Sequence, residues 1–170
     1  LDARLNVGGF IRDYCYQRGL ILRNNGDILV FAPALIIRQE QVDEVMSVLE
    51  QALAAAGIDI VQLDDPALTY YCDRKLMSGE GSHDERLHRD WNMEKEIPLA
   101  VAAINRVADG LSAQVNVHCC HSVYKRRSDV KGDYKPLLPR LKNLRADRVN
   151  IEFAYTGTGD ATDLALLPPH

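Results

Sequence analysis

The fold of the second part of the chain is decided by the stretch Val115-Asn116-Val117-His118-Cys119-Cys120. It is an alternating β-branched run that ends in side chains able to ligate a metal. Such a run predicts a buried β-strand. Because strand side chains alternate between the two faces, we expect His118 and Cys120 on one face and Cys119 in the core. His121, just beyond the strand, is expected either behind the other two side chains or exposed.

Strands and helices alternate on both sides of this run. Ile58–Leu63 and Val149–Phe153 also read as buried strands. Pro98–Leu111 has helical spacing, and a further helix is predicted at Tyr134–Ala146, which contains near its start Pro136, a residue that often opens a helix. This alternation predicts right-handed parallel β/α units. In such sheets the chemistry lies at the carboxyl ends of the strands. The residues expected there are Asp64, Asp65, His118, Cys120 and Glu152.

The first 54 residues follow a different pattern. Val7–Arg18 predicts a helix that stops at Gly19. Asn24–Asp27 is a strong turn signal between two apolar runs. A second helix is predicted through Val42–Leu53, up to Gly57. The order helix, turn, short strand, helix indicates a small α+β unit.

Composition limits the classes of function. The chain has 170 residues, 46% of them hydrophobic, and a net charge of −4, which gives no electrostatic reason to expect nucleic acid or a membrane surface. No apolar run approaches the ~18 residues of a spanning helix, and there is no leader pattern. Adjacent cysteines at Cys119 and Cys120 are unlike a disulfide framework and favour a cytoplasmic location. We expect both ends, Leu1 and His170, to be cut from something longer.

Imidazole, thiolate and carboxylate side chains at neighbouring strand ends form a set suited to zinc, and catalytic zinc keeps a further position open. The structural alternative is that His118 and Cys120 are packing residues. Glu152 is harder to explain in that way, since a buried carboxylate without a partner is costly. His83 and His88 are five residues apart, off the spacing of helical zinc pairs, and are expected to be solvated.

Residues from about 56 to 170 resemble the catalytic barrel of cobalamin-independent methionine synthases. The stretches that carry the resemblance are Ile60–Leu68, His118–Cys120, Lys131–Tyr134, Leu137–Leu141, Asn150–Ala154 and Gly157–Asp160. The resemblance implies a TIM-type (β/α)8 barrel, of which the chain holds three of the eight strands.

The same resemblance implies a zinc-dependent methyltransferase that passes a methyl group from 5-methyltetrahydrofolate to homocysteine in methionine biosynthesis. His118, Cys120 and Glu152 would be metal ligands, with one more cysteine ligand beyond His170. Zinc would hold the homocysteine thiol as a thiolate. Asp64 matches the acidic residue that receives the homocysteine amino group through a charge-assisted hydrogen bond.

The first segment resembles the C-terminal end of class III aminotransferases, which use pyridoxal phosphate, and Arg18–Asp27 with Phe31–Leu35 carries this resemblance. Arg23 matches the arginine that receives a substrate carboxylate. Arg38 stands where relatives have a hydroxyl residue to cap the last helix. Residues 1–54 contain no lysine, so no internal aldimine with pyridoxal phosphate can form there.

We therefore predict an α/β chain in which an aminotransferase-type unit (1–54) precedes a partial barrel (55–170). The leading function is zinc-dependent methyl transfer to homocysteine, with small molecules as partners. Open sheet edges favour self-association. The alternatives are an alkyltransferase of the epoxide and coenzyme M type, a pyridoxal-phosphate aminotransferase fragment, and an inactive fusion fragment.

Overall fold

The computed structural model describes residues 3–34, 36–80, 89–124, 127–128, 130–154 and 156–168. His83 and His88 lie outside these ranges. The chain divides into two compact units, one of residues 1–59 with 110–113 and one of residues 60–109 with 114–170.

The first unit contains two helices and a hairpin. Its elements are α1 (Val7–Tyr16), β1 (Arg23–Asn25), β2 (Ile28–Val30) and α2 (Gln39–Ala55). The two strands pair antiparallel, which confirms the predicted turn. The chain leaves α1 through Gly19, at φ +80°, as the sequence predicts. The start of α2 lacks a hydroxyl cap, but the Gln41 side chain accepts a hydrogen bond from the Arg38 N–H at 3.1 Å.

The second unit is built on a parallel sheet. Its elements are β3 (Ile60–Asp64), α3 (Arg74–Ser78), α4 (Met93–Ala108), β4 (Gln114–Cys119), β5 (Val123–Tyr124), β6 (Arg127–Ser128) and β7 (Arg148–Ile151). The order β3-β4-β7 is parallel throughout, whereas β5 and β6 form an antiparallel hairpin. The predicted parallel arrangement is confirmed, and the described ranges contain no closed barrel.

Two predicted helices differ from the structure. The segment Tyr134–Ala146 is not an α-helix, because it contains only a 3-10 helix at Leu138–Leu141 between turns. Pro139 inside that segment has no N–H to donate and so interrupts an α-helix. The helix predicted from Pro98 begins earlier, at Met93, because the Asn92 side chain accepts a hydrogen bond from the Lys95 N–H at 3.0 Å and caps it.

The two faces of the sheet have opposite character. Along β4, the side chains of Val115, Val117 and Cys119 are buried, whereas the alternate positions are half-buried. The buried face packs against α4 and the two 3-10 helices at 66–72 and 138–141. The core side chains that surround it are Leu68, Tyr71, Ile97, Val101, Ile104, Tyr134, Leu137, Leu138, Leu141 and Leu144. The opposite face carries polar side chains, among them Gln62, Asn116 and Asn150.

A close backbone crossing at Gly132 supports the carboxyl end of β4 from the core side. A Cβ atom on Gly132 would lie 2.0 Å from the Cys72 carbonyl oxygen, and its φ is +149°. The preceding N–H, of Lys131, donates to the Asp73 carboxylate at 3.0 Å. The crossing fixes the segment that leads to Tyr134, whose hydroxyl lies 3.3 Å from the Cys119 carbonyl oxygen.

Replacing Gly132 with alanine should therefore destabilise the second unit more than a matched glycine substitution does. Gly157 also has a positive φ, +96°, but a Cβ there meets nothing within 4 Å. We expect Gly157→Ala to cost about 1 kcal/mol and Gly132→Ala about 1–3 kcal/mol more, since the backbone has to move. Trp91 is the chain's one tryptophan, so urea unfolding followed by its fluorescence measures this unit. Equal midpoints for the two variants would contradict the crossing.

Candidate functional site at the carboxyl ends of the parallel strands

The parallel register aligns three polar side chains across the sheet. Asp64, the last residue of β3, is paired with His118, and His118 is paired in turn with Asn150 of β7. Gln62 connects the outer strands, because its amide donates to Asp64 Oδ1 at 2.9 Å and accepts from Asn150 Nδ2 at 3.2 Å. The polar face thus has a hydrogen-bonded network that ends at the carboxyl edge.

His118 faces a carboxylate. Its Nδ1 lies 3.3 Å from Asp64 Oδ1, and the two side chains are 31% and 63% exposed. A carboxylate beside Nδ1 favours a hydrogen on that nitrogen and leaves the lone pair of Nε2 available. Both contacts to the Asp64 carboxylate among the described residues involve Oδ1. Its Oδ2 therefore remains accessible to a ligand.

Cys120 and Glu152 occupy equivalent positions on neighbouring strands. Cys119 of β4 pairs with Ile151 of β7. Cys120 directly follows Cys119, and Glu152 directly follows Ile151. Both side chains are half-buried. The register therefore brings a thiol and a carboxylate to adjoining strand ends, next to the edge where Asp64 and His118 meet.

The two adjacent cysteines have different environments, as the alternation predicts. Cys119 is buried in the core, and burial, with smaller contributions from Asp65 and Cys120, raises the pKa of its thiol to about 12. Cys15 and Cys72 are also buried, whereas Cys120 is half-buried. Cys120 is thus the most accessible of the four thiols and the one suited to chemistry at the strand end.

The predicted zinc ligands do not form an assembled metal centre. Among the described residues, which include His118, Cys120 and Glu152, no three His, Cys, Asp or Glu side chains are grouped so that they could hold a metal ion. Their nitrogen, sulfur and oxygen donors suit zinc, but His118 contacts Asp64 instead of joining the other two. The geometry by itself therefore carries no zinc-dependent step.

Asp65 has a structural role. Its carboxylate accepts a hydrogen bond from the Ala67 N–H at 3.1 Å and caps the 3-10 helix that follows β3. Burial raises the pKa of this carboxyl group, although hydrogen bonds from the Leu68 and Ala67 backbone oppose the shift. Of the two neighbouring aspartates, Asp64 is the one that faces the edge of the sheet.

The sequence left the position of His121 open and did not identify Tyr134 as a site residue. His121 is fully buried, so the exposed one of its two expected positions is excluded; its Nδ1 lies 3.0 Å from the Tyr134 hydroxyl and its Nε2 2.8 Å from the Gly132 carbonyl oxygen. Tyr134 is also fully buried. No local pattern marks His121 as buried, since its partners lie 11 and 13 residues away. The only signal was the Lys131–Tyr134 stretch, which contains both of those partners.

Arg23, the predicted carboxylate-binding residue of the first unit, is exposed on β1 and paired in register with Val30. None of the helices in the described ranges combines the length and apolar character that a membrane crossing requires.

Comparison with known proteins gives two kinds of match. A family model for the catalytic domain of cobalamin-independent synthases matches residues 30–166. The methionine synthase of Thermoplasma acidophilum is 25% identical over 122 residues, which cover 72% of this chain and 26% of that protein. The chain thus spans about a quarter of the length of this relative. No solved structure matches the chain.

Two aminotransferases match shorter stretches. An uncharacterized aminotransferase of Sinorhizobium fredii is 38% identical over 63 residues, which cover 36% of this chain and 14% of that protein. Putrescine–pyruvate aminotransferase of Pseudomonas aeruginosa is 36% identical over 47 residues, which cover 28% of this chain and 10% of that protein. These short matches give weak support to an aminotransferase-type segment. The synthase model matches most of the chain, and the chain therefore belongs to the cobalamin-independent synthase catalytic-domain family.

Proposed function

We propose that the chain carries part of the active site of a zinc-dependent methyltransferase that moves a methyl group from 5-methyltetrahydrofolate to homocysteine. The observation that carries the proposal is the register of β3, β4 and β7 in a chain of this family. This register pairs Asp64 with His118. Cys120 and Glu152 directly follow the next pair, Cys119 and Ile151. A reducing compartment, the cytoplasm, belongs to the same proposal because all four cysteines are free.

In this proposal the polar edge of the sheet binds the amino acid end of the substrate. Asp64 is 63% exposed and its Oδ2 is accessible, so its carboxylate can accept hydrogen bonds from the homocysteine ammonium. Gln62 and His118 hold the other oxygen and so limit the rotation of the carboxylate. The substrate amino group would be bound by a carboxylate that is already oriented.

The zinc part of the proposal assigns His118, Cys120 and Glu152 as ligands. Their donor types support it, and the described arrangement requires that they move together, with a further ligand supplied from outside this chain. The proposed boundary between an aminotransferase-type segment and the partial barrel lies after residue 54.

Replacing Cys120 should remove zinc, whereas replacing its neighbour should not. We expect the wild-type chain to retain zinc after dialysis, Cys120→Ala to lose it, and Cys119→Ala to keep it because that thiol faces the core. Elemental analysis of the purified chains measures this directly. The absence of zinc from the wild-type chain, or its retention by Cys120→Ala, would contradict the ligand assignment.

Replacing Asp64 should weaken homocysteine binding through its amino group. A hydrogen bond to a charged group contributes about 1.5–3 kcal/mol, so Asp64→Asn should raise the Kd of homocysteine roughly ten- to a hundredfold. The control ligand is 4-mercaptobutanoate, which lacks the amino group and should bind both chains equally. Calorimetric titration of both ligands is the measurement, and an equal loss for the two would exclude the proposed contact.

The alternative from a different class is a pyridoxal-phosphate aminotransferase of which the chain holds the end. The two short aminotransferase matches favour it, and Arg23 is exposed on β1 as a carboxylate-binding residue requires. Residues 1–54 contain no lysine. We therefore expect no aldimine absorption band when pyridoxal phosphate is added to this segment, and such a band would revive the alternative.

A further inference from the structure

We infer that Tyr134, together with His121, is a positioning residue that holds the carboxyl end of β4, the end that carries Cys120, in a fixed position beside the residues that follow β7. The inference rests on the proposed function, because it concerns residues assigned to that site. It does not depend on a bound metal.

The Tyr134 side chain reaches both strand ends. The ring is fully buried, and its hydroxyl lies 3.0 Å from His121 Nδ1 and 3.3 Å from the Cys119 carbonyl oxygen. The ring also packs edge-on against Phe153, the residue after Glu152, with 5.5 Å between the ring centroids. Burial raises the pKa of this hydroxyl well above its ordinary value, so it keeps its proton. One side chain therefore lies against the end of β4 with its hydroxyl and against the residues beyond β7 with its ring.

His121 determines how that hydroxyl is oriented. A carbonyl oxygen only accepts hydrogen bonds, so His121 Nε2, 2.8 Å from the Gly132 carbonyl oxygen, carries the ring hydrogen. In the neutral ring Nδ1 is then the acceptor, and it receives the hydrogen of the Tyr134 hydroxyl. The Gly132 crossing fixes the far end of this chain of hydrogen bonds.

The backbone of β4 is held at four consecutive carbonyl groups around the candidate ligands. The Asp65 N–H and the Thr69 hydroxyl donate to the carbonyl oxygens of residues 118 and 120 at 3.2 and 2.6 Å. The hydroxyl oxygens of Tyr134 and Ser128 lie 3.3 and 2.9 Å from the carbonyl oxygens of residues 119 and 121. The anchoring groups at 119 and 120 belong to buried residues, whereas the His118 and Cys120 side chains are half-buried. The reactive side chains therefore project from a fixed backbone, as residues that orient a functional site from behind require.

Tyr134→Phe tests the role, because it removes the hydroxyl and keeps the ring. Tyr71→Phe is the matched control: Tyr71 is buried in the same core, but its hydroxyl donates to Glu96 at 2.9 Å and touches neither strand end. On the metal-free full chain, we expect Tyr134→Phe to speed iodoacetamide alkylation of Cys120 about five- to tenfold, the factor that corresponds to one ordinary hydrogen bond. Tyr71→Phe should leave that rate unchanged.

A second variant tests the same strand end through a different hydrogen bond. Thr69→Val removes the hydroxyl that donates to the Cys120 carbonyl oxygen, and it should likewise speed alkylation of Cys120. Tandem mass spectrometry distinguishes alkylation of Cys120 from that of the buried thiols Cys72 and Cys119. Unchanged rates in Tyr134→Phe, or an equal rise at the buried thiols, would overturn the positioning role. Lack of zinc or of homocysteine binding would instead contradict the proposed function and leave these rates as they are.

Discussion

The hydrogen-bonded register of β4 between β3 and β7 determines which side chains meet at the end of the sheet. Because all three strands run parallel, their carboxyl ends lie at one edge, and a one-residue slip would move every side chain to the opposite face. The alternation buries Val117 and Cys119 and leaves His118 and Cys120 on the polar side or at its edge. Two neighbouring thiols of identical chemistry thereby acquire different roles, since burial raises the pKa of Cys119 to about 12.

The polar face of the sheet is unusual for parallel strands, which are commonly covered and apolar on both faces. Here Gln62 donates to Asp64 on its own strand and accepts from Asn150 of β7, so part of the polar capacity of these side chains is satisfied within the face itself. The apolar face is packed against α4 and the 3-10 helices, and the polar face is the one that presents Asp64 and His118 at the carboxyl edge.

Much of this could be predicted from local patterns. The period-two runs locate β3, β4 and β7, and their order predicts the parallel sheet and the strand-end position of Asp64 and Glu152. The failures occur where distant or weak local effects decide. Pro139 prevents the helix predicted at Tyr134–Ala146. The position of His121 was left open between two alternatives, because its burial depends on Tyr134 and Gly132, which no short-range pattern connects to it. The expectation that the metal ligands meet depended only on which face of its strand each side chain occupies. That alternation does not determine the side-chain rotamers.

The contact between His118 and Asp64 is the main difference between the described arrangement and an assembled zinc site. Even with both groups charged, a pair between partly exposed side chains contributes about 0–1 kcal/mol, and Asp64 is 63% exposed, so solvent screens the interaction. Binding of structural zinc by small peptides yields about 10–16 kcal/mol. Because the His118–Asp64 contact is weak compared with zinc binding, it can orient His118 in the metal-free chain and still be replaced by a bond to zinc. The contacts that hold the backbone at residues 118–121 are more numerous than the single His118–Asp64 contact, and they lie partly in the core. The position of the strand end is therefore the constraint that remains when that contact is replaced.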